Sequence, residues 1–230
     1  MLPPQTTEVN ALVCYTKMHM DINLLQIFIL LVVILISMTL HEMTHAYVGY
    51  WLGDDTAKHQ GRLTLNPLAH IDPFLTILLP ILLAVTGAPI FGGAKPVPFN
   101  PQNVRWGEFG AMLVGISGPL SNLVLAFLGF ALLPIIGLNT VGGGILLIWV
   151  YVNLGFFIFN ILPIPPLDGS RLLYYLAPES VRSVLASVEQ YGLIIVFAII
   201  LLFSQFLTTY MQAAINFFLH IFAAIFGVVI

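Results

Sequence analysis

His41, Glu42 and His45 stand in the run His41-Glu42-Met43-Thr44-His45. Residues four apart on a helix share a face one turn apart, so both imidazoles can reach a single ion, with Glu42 beside it. A tetrahedral Zn²⁺ with three protein ligands keeps a fourth position for water. A neighbouring carboxylate can take that water's proton and hand it to a leaving amine. This is the chemistry of metal-assisted peptide-bond hydrolysis. The alternative is a pair of buried histidines satisfied by carbonyls. The setting weighs against it: the motif lies in an apolar run at about 22–50, where ionisable side chains are costly and serve function.

A third ligand is sought among buried carboxylates, and Asp168 is the candidate. It lies in Asn160-Ile161-Leu162-Pro163-Ile164-Pro165-Pro166-Leu167-Asp168-Gly169. The prolines end the preceding helix and Gly169 permits a tight turn, so the carboxylate is presented from an unwound segment lining a cavity, where irregular backbone is tolerated at membrane depth. The alternative is a helix-capping Asp before Ser170-Arg171.

The elements that must position these residues follow from the apolar runs at about 22–50, 74–91, 108–136, 141–163, 190–203 and 205–230. Five are long or continuous enough to span, against the roughly 20 residues a spanning helix requires. The run 74–91 carries Pro80, Gly87 and Pro89 and either crosses or re-enters. If it re-enters, Lys58, Arg62, Lys95, Arg105, Arg171 and Arg182 share one side, with Lys17 alone opposite. If it crosses, Lys58 and Arg62 join Lys17. The first division fits the positive-inside rule better. It also lets the C-terminal ends of the first helix and of 141–163 meet, as a shared His41, His45 and Asp168 site requires.

Composition sets the class. Of 230 residues, 59% are hydrophobic and 7% charged, with a mean hydropathy of +1.01, whereas soluble domains are roughly one-quarter charged. The expectation is an all-α polytopic membrane protein, with an N-terminal extension over 1–21 and a single domain over 22–230. Met18 or Met20 is an alternative start, and residues 1–20 do not resemble a cleavable signal peptide. The net charge of −3 supplies no basic stripe, so nucleic acid is not an expected partner. Cys14 is the only cysteine, which excludes an intrachain disulfide.

Together these residues carry a resemblance to the site-2 proteases, the intramembrane zinc metalloproteases, over about 22–171. Besides the metal motif and Leu167-Asp168-Gly169, the chain has Gly118-Pro119-Leu120-Ser121-Asn122, similar to the family's Gly-Pro-x-x-Asn element. Gly61-Arg62-Leu63-Thr64-Leu65-Asn66-Pro67 and Gly93-Ala94-Lys95-Pro96-Val97-Pro98 resemble stretches of its small members. The resemblance implies that His41, His45 and Asp168 bind one Zn²⁺, that Glu42 is the general base, and that Asn160 holds the substrate or the oxyanion. It further implies a transmembrane protein substrate, a lipid bilayer around the enzyme, and a prokaryotic plasma membrane with the active site towards the cytoplasm. A re-entrant β-hairpin beside the site would pair with extended substrate, and Lys95–Phe99 is the candidate edge. No PDZ or CBS domain is recognisable. The competing class is a non-proteolytic zinc-binding membrane protein or a zinc transporter, for which Glu42 is not needed.

Other polar residues invite weaker assignments. His70 and Asp72 are expected to hydrogen-bond a loop rather than to form a second metal site. His59 and His220 have no neighbouring ligands, and Ser117 and Ser121 have no partnered base. Gly107, Gly110, Gly115, Gly118 and Gly129 suggest close helix packing, and Phe217, Phe218, Phe222 and Phe226 are expected to face lipid.

Overall fold

The computed structural model describes residues 24–78 and 93–228. Helix α1, Leu24–Trp51, has 28 residues and would extend about 42 Å at 1.5 Å per residue, enough for a hydrocarbon layer of about 30 Å. Its run from Leu24 to Leu40 contains neither Gly nor Pro. In lipid only intrahelical hydrogen bonds can satisfy the backbone, so such a run is driven into helix. Its first turns expose Leu24, Leu25, Phe28 and Leu31, whereas its last turns bury His41, Glu42, His45, Ala46 and Gly49.

A connecting region follows, with the short α2 (Thr56–His59), a 3₁₀ turn at Pro67–His70 and a π-helical turn at Pro73–Leu78. Asn66 starts the 3₁₀ turn by accepting the Leu68 N–H on its side-chain oxygen at 3.1 Å. The question of whether 74–91 spans or re-enters lies largely outside the described residues, as do the N-terminal extension and Cys14. Helix α3 (Gly107–Ile136, 30 residues) and α4 (Val141–Asn160, 20 residues) form an antiparallel pair joined by a short turn. Gly137 stops α3 at φ 86°, and the Thr140 hydroxyl caps α4 by accepting the Gly143 N–H at 2.9 Å. Beyond α4 come α5 (Ser170–Leu176), α6 (Glu179–Glu189), α7 (Gly192–Leu202) and α8 (Ser204–Phe226).

Helices α1, α3, α4 and α8 are each long and apolar enough to cross a membrane. The run at 190–203, expected as a fifth span, becomes α7. With 11 residues, α7 extends only about 16 Å. It is bent by 76° from α6, so a fifth crossing needs both helices. Among the described residues there is no strand, and Lys95–Phe99 has no regular secondary structure. Pro96 and Pro98 cannot donate to a ladder, so the expected β-hairpin-like loop is not seen there.

The core joins Ala126, Phe130 and Leu133 of α3 to Val150, Leu154, Phe157 and Ile158 of α4 and to Leu219, Phe222 and Ala223 of α8. This corrects the expectation that the terminal phenylalanines face lipid. Phe218, Phe222 and Phe226 recur every four residues and form one stripe, with Phe222 and Phe226 stacking on Phe127 and Phe130. Phe217, on the opposite face, is exposed. Close approach explains Gly129, where a Cβ would lie 2.6 Å from the Trp149 ring. Ser37 of α1 meets Asn153 of α4 at 2.9 Å, and further along each chain the histidines meet Asp168. Helices α1 and α4 therefore run in the same direction, as the shared site requires.

Candidate metal centre

His41 and His45 project from adjacent turns of α1, and Asp168 comes from the unwound segment between α4 and α5. That segment is folded back on the end of α4: the Gly169 N–H donates to the Asn160 carbonyl at 2.7 Å, and the Leu167 N–H to Ile164 at 2.8 Å. Gly169 is required here, because a Cβ would sit 2.1 Å from the Ile161 carbonyl oxygen. Behind the loop, Arg171 donates to Glu189 at 2.7 Å, and the Tyr174 hydroxyl donates to the same carboxylate at 2.7 Å. Burial and then this carboxylate push the Tyr174 hydroxyl well above its ordinary range. The first residues of α5 are thereby tied to the end of α6.

The three side chains converge. His41 Nε2 lies 3.1 Å from Asp168 Oδ2, His45 Nε2 lies 3.3 Å from the same oxygen, and the two Nε2 atoms are 3.0 Å apart. Among the described residues this is the one group of three His, Cys, Asp or Glu side chains so placed. The other ring nitrogens are occupied. His41 Nδ1 lies 2.6 Å from Asn122 Oδ1, and His45 Nδ1 lies 2.7 Å from the Val114 carbonyl. A carbonyl oxygen only accepts, so Nδ1 carries a proton, and in the neutral ring Nε2 then presents a lone pair. In their neutral forms both imidazoles turn an Nε2 lone pair towards the Asp168 carboxylate, a donor set that suits a divalent cation. Tetrahedral coordination at zinc–ligand distances would separate ligand atoms by about 3.3 Å, close to the spacing found. The residues present fit the ion. Gly118 lets the two rings pack against α3, since a Cβ there would lie 2.2 Å from His45 Nε2 and 2.8 Å from His41 Cε1.

Glu42 is buried, and its Oε2 accepts the Val97 N–H at 2.9 Å. The segment carrying Val97 is held at several points. Arg62, itself buried, donates to the carbonyls of Lys95 at 2.7 Å and Pro96 at 2.9 Å. Lys95 N–H donates to the His70 carbonyl, the Thr76 hydroxyl to the Gly93 carbonyl, and Asn100 N–H to Asp54. This stretch of backbone is thus fixed beside the carboxylate that the sequence nominates as the base.

The chain has relatives among known proteins. The model of "Peptidase family M50" matches residues 142–203. A Bacillus subtilis protein named "Putative zinc metalloprotease YwhC" is 42% identical over 208 residues, 86% of this chain and 92% of that protein. The chain belongs to peptidase family M50, the site-2 protease family. Two further M50 relatives, both named "Putative zinc metalloprotease Rip2", come from Mycolicibacterium smegmatis and Mycobacterium tuberculosis. Each is 34% identical over 73% of this chain, which spans 64% of their length. No solved structure is a significant match. Family membership and the long apolar helices make this an integral membrane metallopeptidase.

Within the M50 chain, the sequence-nominated residues separate. His41, His45 and Asp168 come together, with Glu42 adjacent in α1. Asn160 does not join them through its side chain, whose amide donates to the Phe156 carbonyl one turn back at 3.0 Å. Its backbone instead holds the Asp168 loop. His70 and Asp72 serve the loop as expected: His70 Nε2 donates to the Thr64 carbonyl and Asp72 accepts the Phe74 N–H. The Ser117 hydroxyl donates to the Val114 carbonyl at 2.7 Å and lies 3.5 Å from His45 Nδ1. The outer partners of the histidines were not identified by sequence reasoning. The signal for one was present, since Asn122 is a polar side chain in an apolar span. The Val114 carbonyl has no sequence signature at all.

Proposed function

We propose that the protein is an intramembrane zinc metalloprotease that hydrolyses peptide bonds in or near transmembrane segments of other membrane proteins. The observation carrying this is the meeting of His41 Nε2, His45 Nε2 and Asp168 Oδ2 beside Glu42, built on the C-terminal half of an apolar helix. His41, His45 and Asp168 hold the ion. When bound, Zn²⁺ supplies Lewis-acid polarisation of the scissile carbonyl and lowers the pKa of water. Glu42 takes the proton of that water and passes it to the departing amine. Val97 N–H holds the Glu42 carboxylate in place. Asn160, at the end of α4, orients the substrate or its oxyanion.

A transmembrane helix protects its peptide bonds by internal hydrogen bonding and exclusion of water. A cleavable substrate must therefore unwind. The excess of Lys and Arg in the loops around the site favours a cytoplasmic active site, and the relatives' prokaryotic sources favour a plasma membrane.

The test is reconstitution in liposomes with a panel of single-span proteins and mass-spectrometric mapping of the products. Zinc-dependent cuts within or next to the span support the proposal. Zinc bound stoichiometrically with no cut in any substrate, together with ²⁺-ion uptake by the liposomes, replaces it with transport.

A further inference from the structure

Two asparagines and a serine are fully buried where α1, α3 and α4 meet. Beyond the His41 contact, Asn122 Nδ2 donates to Asn153 Oδ1 at 2.9 Å and lies 3.5 Å from the Ser37 carbonyl. Asn153 Nδ2 donates in turn to the Trp149 carbonyl and to the Ser37 hydroxyl oxygen, each at 2.9 Å.

The direction of this chain is dictated at its far end. The Trp149 carbonyl can only accept, so the Asn153 group facing it is the NH₂, and Asn153 must turn its oxygen to Asn122. Asn122 then presents its own NH₂ to Asn153 and its oxygen to His41. An oxygen at 2.6 Å requires a proton on His41 Nδ1, so the neutral ring has its lone pair on Nε2. A reversed Asn122 would place NH₂ against Nδ1, driving the proton to Nε2 and closing the position that faces His45 and Asp168. Buried amides in an apolar interior have no water with which to exchange partners, so the orientation is held by the chain alone.

We propose that Asn153 is a positioning residue for the metal centre, fixing the orientation of Asn122 and thereby the metal-competent tautomer of His41. This rests on the assignment of His41 as a zinc ligand. The bland alternative is that Asn153 merely joins helices, and the two differ in what they do to metal binding.

The experiment is zinc affinity by chelator competition on purified protein, with the visible spectrum of the Co²⁺-substituted form as a second readout. It compares wild type, Asn153→Leu, Asn122→Leu and the double variant. Outer partners of metal-binding histidines change affinity by about 10- to 100-fold, and Asn153→Leu is expected to weaken zinc by that factor with a weakened tetrahedral Co²⁺ band. The double variant should be no worse than Asn122→Leu alone, because Asn153 acts through Asn122. Additive losses, or Asn153→Leu binding within threefold of wild type, overturn the proposal. Wild-type protein that binds no zinc overturns the ligand assignment as well.

If Asn153→Leu fails to fold, the isosteric pair Asn153→Thr and Asn153→Val decides. The Thr hydroxyl can donate to the carbonyl one turn back and accept from Asn122, preserving the polarity, whereas Val cannot. Zinc retained by Thr and lost by Val supports the proposal; equal affinities refute it.

Discussion

Gly118→Ala adds one methyl group to the protein and touches no ligand atom chemically, yet it is expected to abolish metal binding. The new Cβ would lie 2.2 Å from His45 Nε2, 2.6 Å from His45 Cε1 and 2.8 Å from His41 Cε1. Uncrowded contacts begin near about 3.4 Å, so the His45 ring must retreat by about 1.2 Å. Metal–ligand distances are held within about 0.2 Å in a working site, and His45 cannot retreat while its Nδ1 bonds the Val114 carbonyl at 2.7 Å. Zinc affinity should fall by at least about 100-fold, beyond the usual effect of an outer partner. The fold should survive, because Ala is favoured over Gly in a helix by about 1 kcal/mol. The assay is zinc content and chelator competition on detergent-purified protein, with thermal stability measured on the metal-free forms. Wild-type affinity in Gly118→Ala would refute the placement of the ion between the two rings.

Further outcomes follow from the same geometry. Asp168→Ala should lose stoichiometric zinc, whereas Glu179→Ala, at an exposed helix start, should not; metal analysis of the two purified variants checks this. Arg62→Ala leaves the Lys95 and Pro96 carbonyls without their donor at a cost of about 1–3 kcal/mol, so the strip over Glu42 should become cleavable by added protease and peptidase activity should fall. Burial pushes the pKa of the Asp54 carboxyl up, but hydrogen bonds from Thr56, Asn100 and Asn103 outweigh it and hold the carboxyl below its ordinary value. A depressed folded value contributes stability above the unfolded pKa of about 3.9, lost as pH falls through the folded value. Asp54→Asn should therefore lower the melting temperature at neutral pH, and the gap from wild type should close below about pH 4.

The metal motif was legible because its chemistry is local. Two histidines four apart in an apolar run need no tertiary information to share a face, and Asp168 was reached through the prolines and Gly169 around it. The run at 190–203 forms a shorter helix than its apolarity suggests, because mean apolarity does not reveal a bend; Gln190 and Tyr191 separate two short helices set at 76° to one another. The terminal phenylalanines misled for a related reason. Phe218, Phe222 and Phe226 have the spacing of a buried stripe, but in a helix apolar on every side lipid and protein faces carry the same residues. The polar chain from His41 to Trp149 ends on backbone carbonyls, which carry no residue signature, and only its asparagines could have been suspected.

The most direct test of the central claim is Glu42→Gln, which keeps size and shape and removes the base. Wild type and variant should bind zinc equally, and the variant should lose cleavage of a reconstituted single-span substrate by about 10²- to 10⁴-fold. Equal cleavage by both forms would contradict the assignment of Glu42 as the proton carrier. Loss of zinc from the variant would show instead that Glu42 holds the ion.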